Sequence, residues 1–93
     1  LGQKKDEIMA KIEIYSTTYC PYCVRAKALM DAKDLDYTEI DVTGDDDARM
    51  ALVEKSGGRK TVPQIFINDL SVGGYDDLRA LEESGKLDHM LKG

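Results

Sequence analysis

Between Lys11 and Val42 the hydrophobic periodicity changes twice, and this limits the folds open to the chain more than any other feature. Lys11 to Ser16 alternates, with Ile12 and Ile14 on one side and Lys11, Glu13 and Tyr15 on the other, which predicts a strand with one buried face. Cys20 to Ala32 carries Val24, Ala28 and Leu29 at helical spacing, and Pro21 suits a first helical turn. Tyr37 to Val42 is β-rich again, between Asp36 and Gly44. Strand, helix and strand in that order leave room for the crossover that a parallel pair requires.

The rest of the chain extends this start into an α/β domain. Asp45 to Ser56 is predicted as a second helix: three aspartates open it at the positive end of its dipole, Ala48, Ala51 and Leu52 form its stripe, and Gly57-Gly58 stop it. Gln64 to Ile67 and Leu70 to Val72 flank Asn68-Asp69, a short turn signal, so a hairpin is expected. Asp76 to Glu83 reads as a third helix with Leu78 and Leu81 inward and Gly85 at its end, and Leu87, Met90 and Leu91 mark a last short one. With 93 residues, 42% hydrophobic and 33% charged, the chain has material for one modest core. Met9-Ala10 stands just before the first alternation, so residues 1–9 read as an N-terminal extension or remnant and 10–93 as the domain. Lys4 and Lys5 precede no apolar stretch of the length a secretory signal needs.

Several functions are set aside by composition. A net charge of -5 repels nucleic acid and anionic membrane surfaces over long range. The longest apolar run, Met50 to Val53, falls far short of the roughly 20 residues of a membrane span. Two cysteines and one histidine, His89, cannot complete a four-ligand zinc site within one chain.

The residues able to do chemistry begin with Cys20-Pro21-Tyr22-Cys23, at the point where a strand hands over to a helix. Unpaired N–H groups and the positive dipole end at a helix N-terminus stabilise a thiolate, the nucleophilic form of cysteine. Cys23, one turn deeper on the same side, is within reach for an internal disulfide, so the spacing supplies an attacking and a resolving thiol. A purely structural disulfide over so short a loop constrains little chain entropy. Val62-Pro63 is the second informative pair: proline pushes Val62 into an extended conformation at a strand start, where its backbone groups are free to pair with a peptide-like ligand.

Taken together, these parts resemble a dithiol glutaredoxin of the Cys-Pro-Tyr-Cys type, from about Lys11 to Lys92. The resemblance rests on Tyr15-Ser16 before Cys20-Pro21-Tyr22-Cys23, on Thr61-Val62-Pro63-Gln64-Ile65-Phe66-Ile67, and on Gly73-Gly74-Tyr75-Asp76-Asp77-Leu78. It implies a thioredoxin fold: a four-stranded mixed sheet with helices on both faces, and a cis bond before Pro63. It also implies reversible thiol–disulfide exchange with glutathione as co-substrate, no metal, and Cys20, Pro21, Tyr22 and Cys23 as the catalytic motif. Glutathione would be held by the Val62 backbone beside Thr61 and Pro63, and by the start of the third helix at Gly74 and Tyr75. Asp76 or Asp77 would accept from its ammonium, and Arg59 and Lys60 would receive its glycine carboxylate. Thr17 stands where many members carry a lysine that supports the thiolate and glutathione, and Tyr19 replaces a commoner small polar residue. Thiolate support would then rest more on the helix N-terminus.

The expected activity is glutathione-dependent reduction of protein disulfides and protein–glutathione mixed disulfides, with Cys20 as nucleophile and Cys23 resolving. The expected partners are glutathione and disulfide-bearing or glutathionylated proteins, with neither nucleic acid nor membrane; a monomer in the cytoplasm is expected. Two alternatives stand beside it. One is a redoxin recharged by a flavoprotein reductase, against which the charges at Arg59, Lys60, Asp76 and Asp77 argue. The other is an iron–sulfur module sharing a cluster between chains through Cys20, against which Pro21 counts by family analogy.

Overall fold

The computed structural model describes residues 10–91, so the expected extension over residues 1–9 lies outside the described residues. Four strands form one mixed sheet: β1 (Ile12–Ser16), β2 (Thr38–Asp41), β3 (Gln64–Ile67) and β4 (Leu70–Gly73), in the order β2-β1-β3-β4. β1 and β2 are parallel, whereas β3 runs antiparallel to both β1 and β4. The helices are α1 (Pro21–Ala32), α2 (Asp46–Lys55), α3 (Tyr75–Ser84) and α4 (Lys86–Leu91). This is the thioredoxin fold, with helices on both faces.

The crossover from β1 to β2 is α1, as the periodicity requires. At the hairpin, Asn68 and Asp69 both take positive φ, 53° and 67°, the left-handed conformation that lets a tight turn follow the twist of its strands. Asn68 also locks the turn to β1, because its side-chain oxygen accepts from the Lys11 N–H at 2.9 Å and its own N–H donates to the Lys11 carbonyl at 2.8 Å.

The sheet separates two cores of unequal size. On one face Ile12, Ile14, Ile65 and Ile67 meet Ala26 and Met30 of α1, Leu78 of α3, and Leu87 and Leu91 of α4. On the other, Tyr15 and Phe66 pack edge to face with ring centroids 5.5 Å apart, joined by Val42 and by Leu52 of α2. β1 is therefore buried on both sides, and the expectation of a solvated Glu13–Tyr15 face is corrected. The cause is α2, whose Lys55 reaches over the Phe66 ring at 4.9 Å and bonds the Glu13 carboxylate at 2.6 Å.

Two helix stripes are also corrected. Val24 of α1 is 61% exposed and Ala28 is exposed, while Cys23, Ala26 and Met30 are buried. In α2, Ala51 points to solvent and Leu52 alone is fully buried. Asp45 stands outside α2 as its N-cap, its carboxylate accepting from the Ala48 N–H at 3.0 Å. No helix among the described residues is long and apolar enough to cross a membrane.

Candidate active site

Cys20 is the N-cap of α1, in an extended conformation with Pro21 following as the first helical residue. Its sulfur does the work that a serine or aspartate oxygen does at other helix starts, accepting from the Cys23 N–H at 3.1 Å. On its other side the Cys20 thiol donates to the Val62 carbonyl at 3.6 Å. The Val62–Pro63 bond is cis, as the resemblance implied. Both cysteines are free thiols. Cys20 keeps a narrow opening to solvent, 8% exposed, and Cys23 has none.

That difference in depth separates the two sulfurs chemically. Burial, followed by the hydrogen bond with Cys20, pushes the Cys23 thiol up to about 12, although a backbone hydrogen bond from Thr17 and the charge of Lys27 pull the other way. At neutral pH Cys23 is protonated and shielded.

Beside Cys20 lies an open groove of about 230 Å³ between the chain entering β3 and the start of α3. Arg59, Thr61, Val62 and Pro63 line it from one segment, Gly74, Tyr75, Asp76 and Asp77 from the other, and Tyr22 of α1 joins the lining. Nine of the expected glutathione-site and motif residues thus meet around one cavity. Tyr22 is half exposed, fixed between the guanidinium of Arg25 at 5.2 Å from its ring centroid and the ring of Tyr75 at 6.3 Å. In Val62 the carbonyl is engaged by Cys20, while the N–H has no hydrogen-bond partner among the described residues.

The α3 end of the groove differs from expectation in one respect. The Gly74 N–H already donates to Asp77 Oδ2 at 3.0 Å, and the same oxygen accepts from Arg59 Nη1 at 3.4 Å. Asp77 is therefore committed to capping α3 and to tethering Arg59, which leaves the Tyr75, Asp76 and Asp77 N–H groups as the donors without partners among the described residues. Asp76 is exposed on the rim. Gly73 makes this arrangement possible: its φ is +115°, the register of β3 and β4 shifts beside it, and a Cβ there would lie 2.2 Å from Asp77 Oδ2 and 2.7 Å from Arg59 Nη1.

Two expected binding residues do not reach the groove. Lys60 follows Arg59 in an irregular extended segment, so its side chain points the opposite way and lines a separate apolar hollow with Asp46, Arg49, Met50 and Val53. Thr17 is buried at 4% exposure, with its hydroxyl lacking a partner among the described residues. It contributes its backbone to Cys23 instead. Conversely, Gln64 was not anticipated. It lines the groove while nearly fully buried, donating from Nε2 to Thr61 Oγ1 at 3.2 Å. The signal available was a lone amide at the head of the apolar run Gln64-Ile65-Phe66-Ile67. Among the described residues no group of three or more histidine, cysteine, aspartate or glutamate side chains is gathered as for a metal ion.

Comparison with known proteins agrees with this geometry. The glutaredoxin family model matches residues 12–72. A probable glutaredoxin of Synechocystis sp. is 47% identical over 90 residues, covering 97% of this chain and 83% of that protein. The solution structure of glutaredoxin from Brucella melitensis superposes with a TM-score of 0.79 at 49% identity, covering 91% of each chain. The crystal structure of a buckwheat glutaredoxin–glutathione complex gives 0.80 at 33% identity, over 96% of this chain and 84% of that one. A dithiol at a helix start, a cis-proline carbonyl against its outer sulfur and a family match over most of the domain lead to one assignment: the chain belongs to the glutaredoxin family of oxidoreductases.

Proposed function

We propose that this protein is a glutathione-dependent thiol–disulfide oxidoreductase that reduces protein–glutathione mixed disulfides and protein disulfides, with Cys20 as nucleophile and Cys23 as resolving thiol. The observation that carries the reading is the placement of the Cys20 sulfur between the Cys23 N–H and the Val62 carbonyl, at the edge of the groove. A substrate disulfide lying along Val62 presents a sulfur to Cys20, whose own sulfur the Cys23 N–H holds at the head of α1.

In the first step Cys20 Sγ bonds to one substrate sulfur, the substrate S–S bond breaks, and the departing thiolate is protonated from solvent. The Cys20 mixed disulfide is then opened by glutathione or closed by Cys23. The groove suits a small zwitterionic peptide, since Arg59 and Asp76 line it with opposite charges and the Val62 N–H, without a partner among the described residues, belongs to the same lining. The complex of a related buckwheat protein with glutathione supports the choice of co-substrate. Such groups have no evident use for a redoxin recharged only by a flavoprotein. We assign the protein to a reducing, cytoplasmic setting as a monomer whose partners are glutathione and glutathionylated or disulfide-bearing proteins.

The test separates the two thiols. Cys23→Ser is expected to keep substantial deglutathionylation activity, because external glutathione completes that cycle, and to lose most dithiol reduction of protein disulfides. Cys20→Ser is expected to lose both. Activity surviving in Cys20→Ser would overturn the nucleophile assignment, and complete loss of deglutathionylation in a folded Cys23→Ser would restrict the protein to dithiol chemistry.

A further inference from the structure

A resolving thiol must ionise to attack, yet Cys23 is fully buried and its thiol is pushed up to about 12. The surroundings of that sulfur contain an arrangement that the steps above do not use. Lys27 follows Cys23 by one helical turn, which puts both side chains on the same face of α1. Its Nζ bonds Glu39 Oε2 of β2 at 2.8 Å, and the same oxygen accepts from Ser16 Oγ of β1 at 2.6 Å. Ser16 is buried and adjoins Thr17, whose backbone bonds Cys23. Three elements thus hold one ammonium on the Cys23 face of α1.

Neither member of the ion pair is suited to take the proton of Cys23. Hydrogen bonds from Lys27 and Ser16 hold the Glu39 carboxyl below the usual range, and Glu39 holds Lys27 above its own. Both stay charged at neutral pH. Of the two charges it is the ammonium that acts on the sulfur, favouring its ionised form.

We propose that Lys27, anchored by Glu39 and Ser16, is a positioning residue for the resolving step, its fixed ammonium stabilising the thiolate that Cys23 must form to close the Cys20–Cys23 disulfide. The inference rests on the roles given to Cys20 and Cys23 above. In that step the Cys23 S–H bond breaks and its proton passes to water. The electron pair of Cys23 Sγ forms the bond to Cys20 Sγ, the Cys20–substrate S–S bond breaks, and the substrate thiolate leaves with that bond's pair and takes a proton from solvent. Two protein thiols are oxidised as the substrate disulfide gains two electrons. Lys27 keeps its protons throughout.

The experiment mixes reduced protein with glutathione disulfide, quenches with acid at intervals and follows reduced, Cys20-glutathionylated and closed forms by mass spectrometry. Loading reads the attack by Cys20, and closure reads Cys23. Lys27→Met is expected to slow closure by at least about twofold relative to loading, because the smaller thiolate population is only partly offset by the greater nucleophilicity of a more basic thiolate. Lys27→Arg is expected to restore most of the rate, and Glu39→Gln, which removes the negative charge but keeps a side-chain oxygen to accept from Lys27, is expected not to slow closure. Lys27→Gln carries the same expectation as Lys27→Met and replaces it should that variant not fold. Closure in both neutral variants at the rate of the unsubstituted protein would overturn the proposal. So would equal slowing by Glu39→Gln and Lys27→Met, since a merely structural ion pair loses the same from either side. Failure of the unsubstituted protein to load glutathione on Cys20 would overturn the oxidoreductase reading as well, whereas normal loading with unaffected closure would remove only the role of Lys27.

Discussion

Replacing Gly73 by alanine tests whether the α3 wall of the groove depends on one missing side chain. At φ +115° an alanine occupies backbone space that costs about 1–3 kcal/mol. Its Cβ would also fall 2.2 Å from Asp77 Oδ2 and 2.8 Å from Asp77 Cγ, so the carboxylate must leave the Gly74 N–H. Losing that cap costs about 1 kcal/mol more. The Arg59–Asp77 pair is exposed on both sides and adds nothing to the sum. The total is about 2–4 kcal/mol, which for a domain of this size lowers Tm by roughly 10–25 °C. Gly44→Ala is the comparison: φ there is +67° with nothing within 4 Å of the new Cβ, so only conformational strain of about 1–2 kcal/mol applies. Urea unfolding of both variants gives the stabilities, and the KM for a glutathionylated substrate is expected to rise in Gly73→Ala alone. A Gly73→Ala loss no larger than that of Gly44→Ala, with KM unchanged, would refute the claim that Gly73 makes room for the Asp77 cap and the Arg59 tether.

Two further outcomes follow from the site. Limited iodoacetamide treatment of the reduced protein at pH 7 is expected to label Cys20 at least about tenfold ahead of Cys23; because burial raises the Cys23 thiol to about 12, Cys23 is expected to stay protected through pH 9, and equal labelling in peptide mass mapping would remove the assigned roles. Asp77→Ala is expected to lose about 1 kcal/mol in urea unfolding through its cap and to raise KM by releasing Arg59, whereas Asp76→Ala is expected to raise KM for a glutathionylated substrate with little change in stability; a stability loss confined to Asp76→Ala would exchange the two roles.

What could be read in the sequence divides along a physical line between local and long-range determinants. The parallel crossover, the Asn68-Asp69 hairpin and the start of α1 were all legible, because each is set by neighbours a few residues apart. The rotation of α1 was not. Val24, Ala28 and Leu29 and the truly buried Cys23, Ala26 and Met30 have equally helical spacings, and the choice is made by Cys20 as N-cap, which turns the Cys23 side inward. Tyr15 was assigned to a solvated face because its hydroxyl disguises a ring that meets Phe66 across the sheet. At the site, Val62, Pro63 and the Gly74–Asp77 turn carried local chemistry in plain view. Lys60 and Thr17 were misplaced because facing direction, not residue type, decided the matter. The Ser16–Glu39–Lys27 cluster draws on three separate elements, and no linear pattern announces it.

The smaller core has a consequence beyond its contribution to stability. Tyr15, Val42, Leu52 and Phe66 form its buried part, and Val62, the residue whose carbonyl meets Cys20, packs against that cluster. Leu52 is the one fully buried side chain of α2, which is also held by Ala48 against the same cluster and by Lys55 at Glu13. A shift of that helix would change the packing on which Val62 rests, whereas the larger core involves α1, α3 and α4. The helix carrying none of the sulfur chemistry is thus joined, through one shared cluster, to the residue whose carbonyl meets the reacting sulfur.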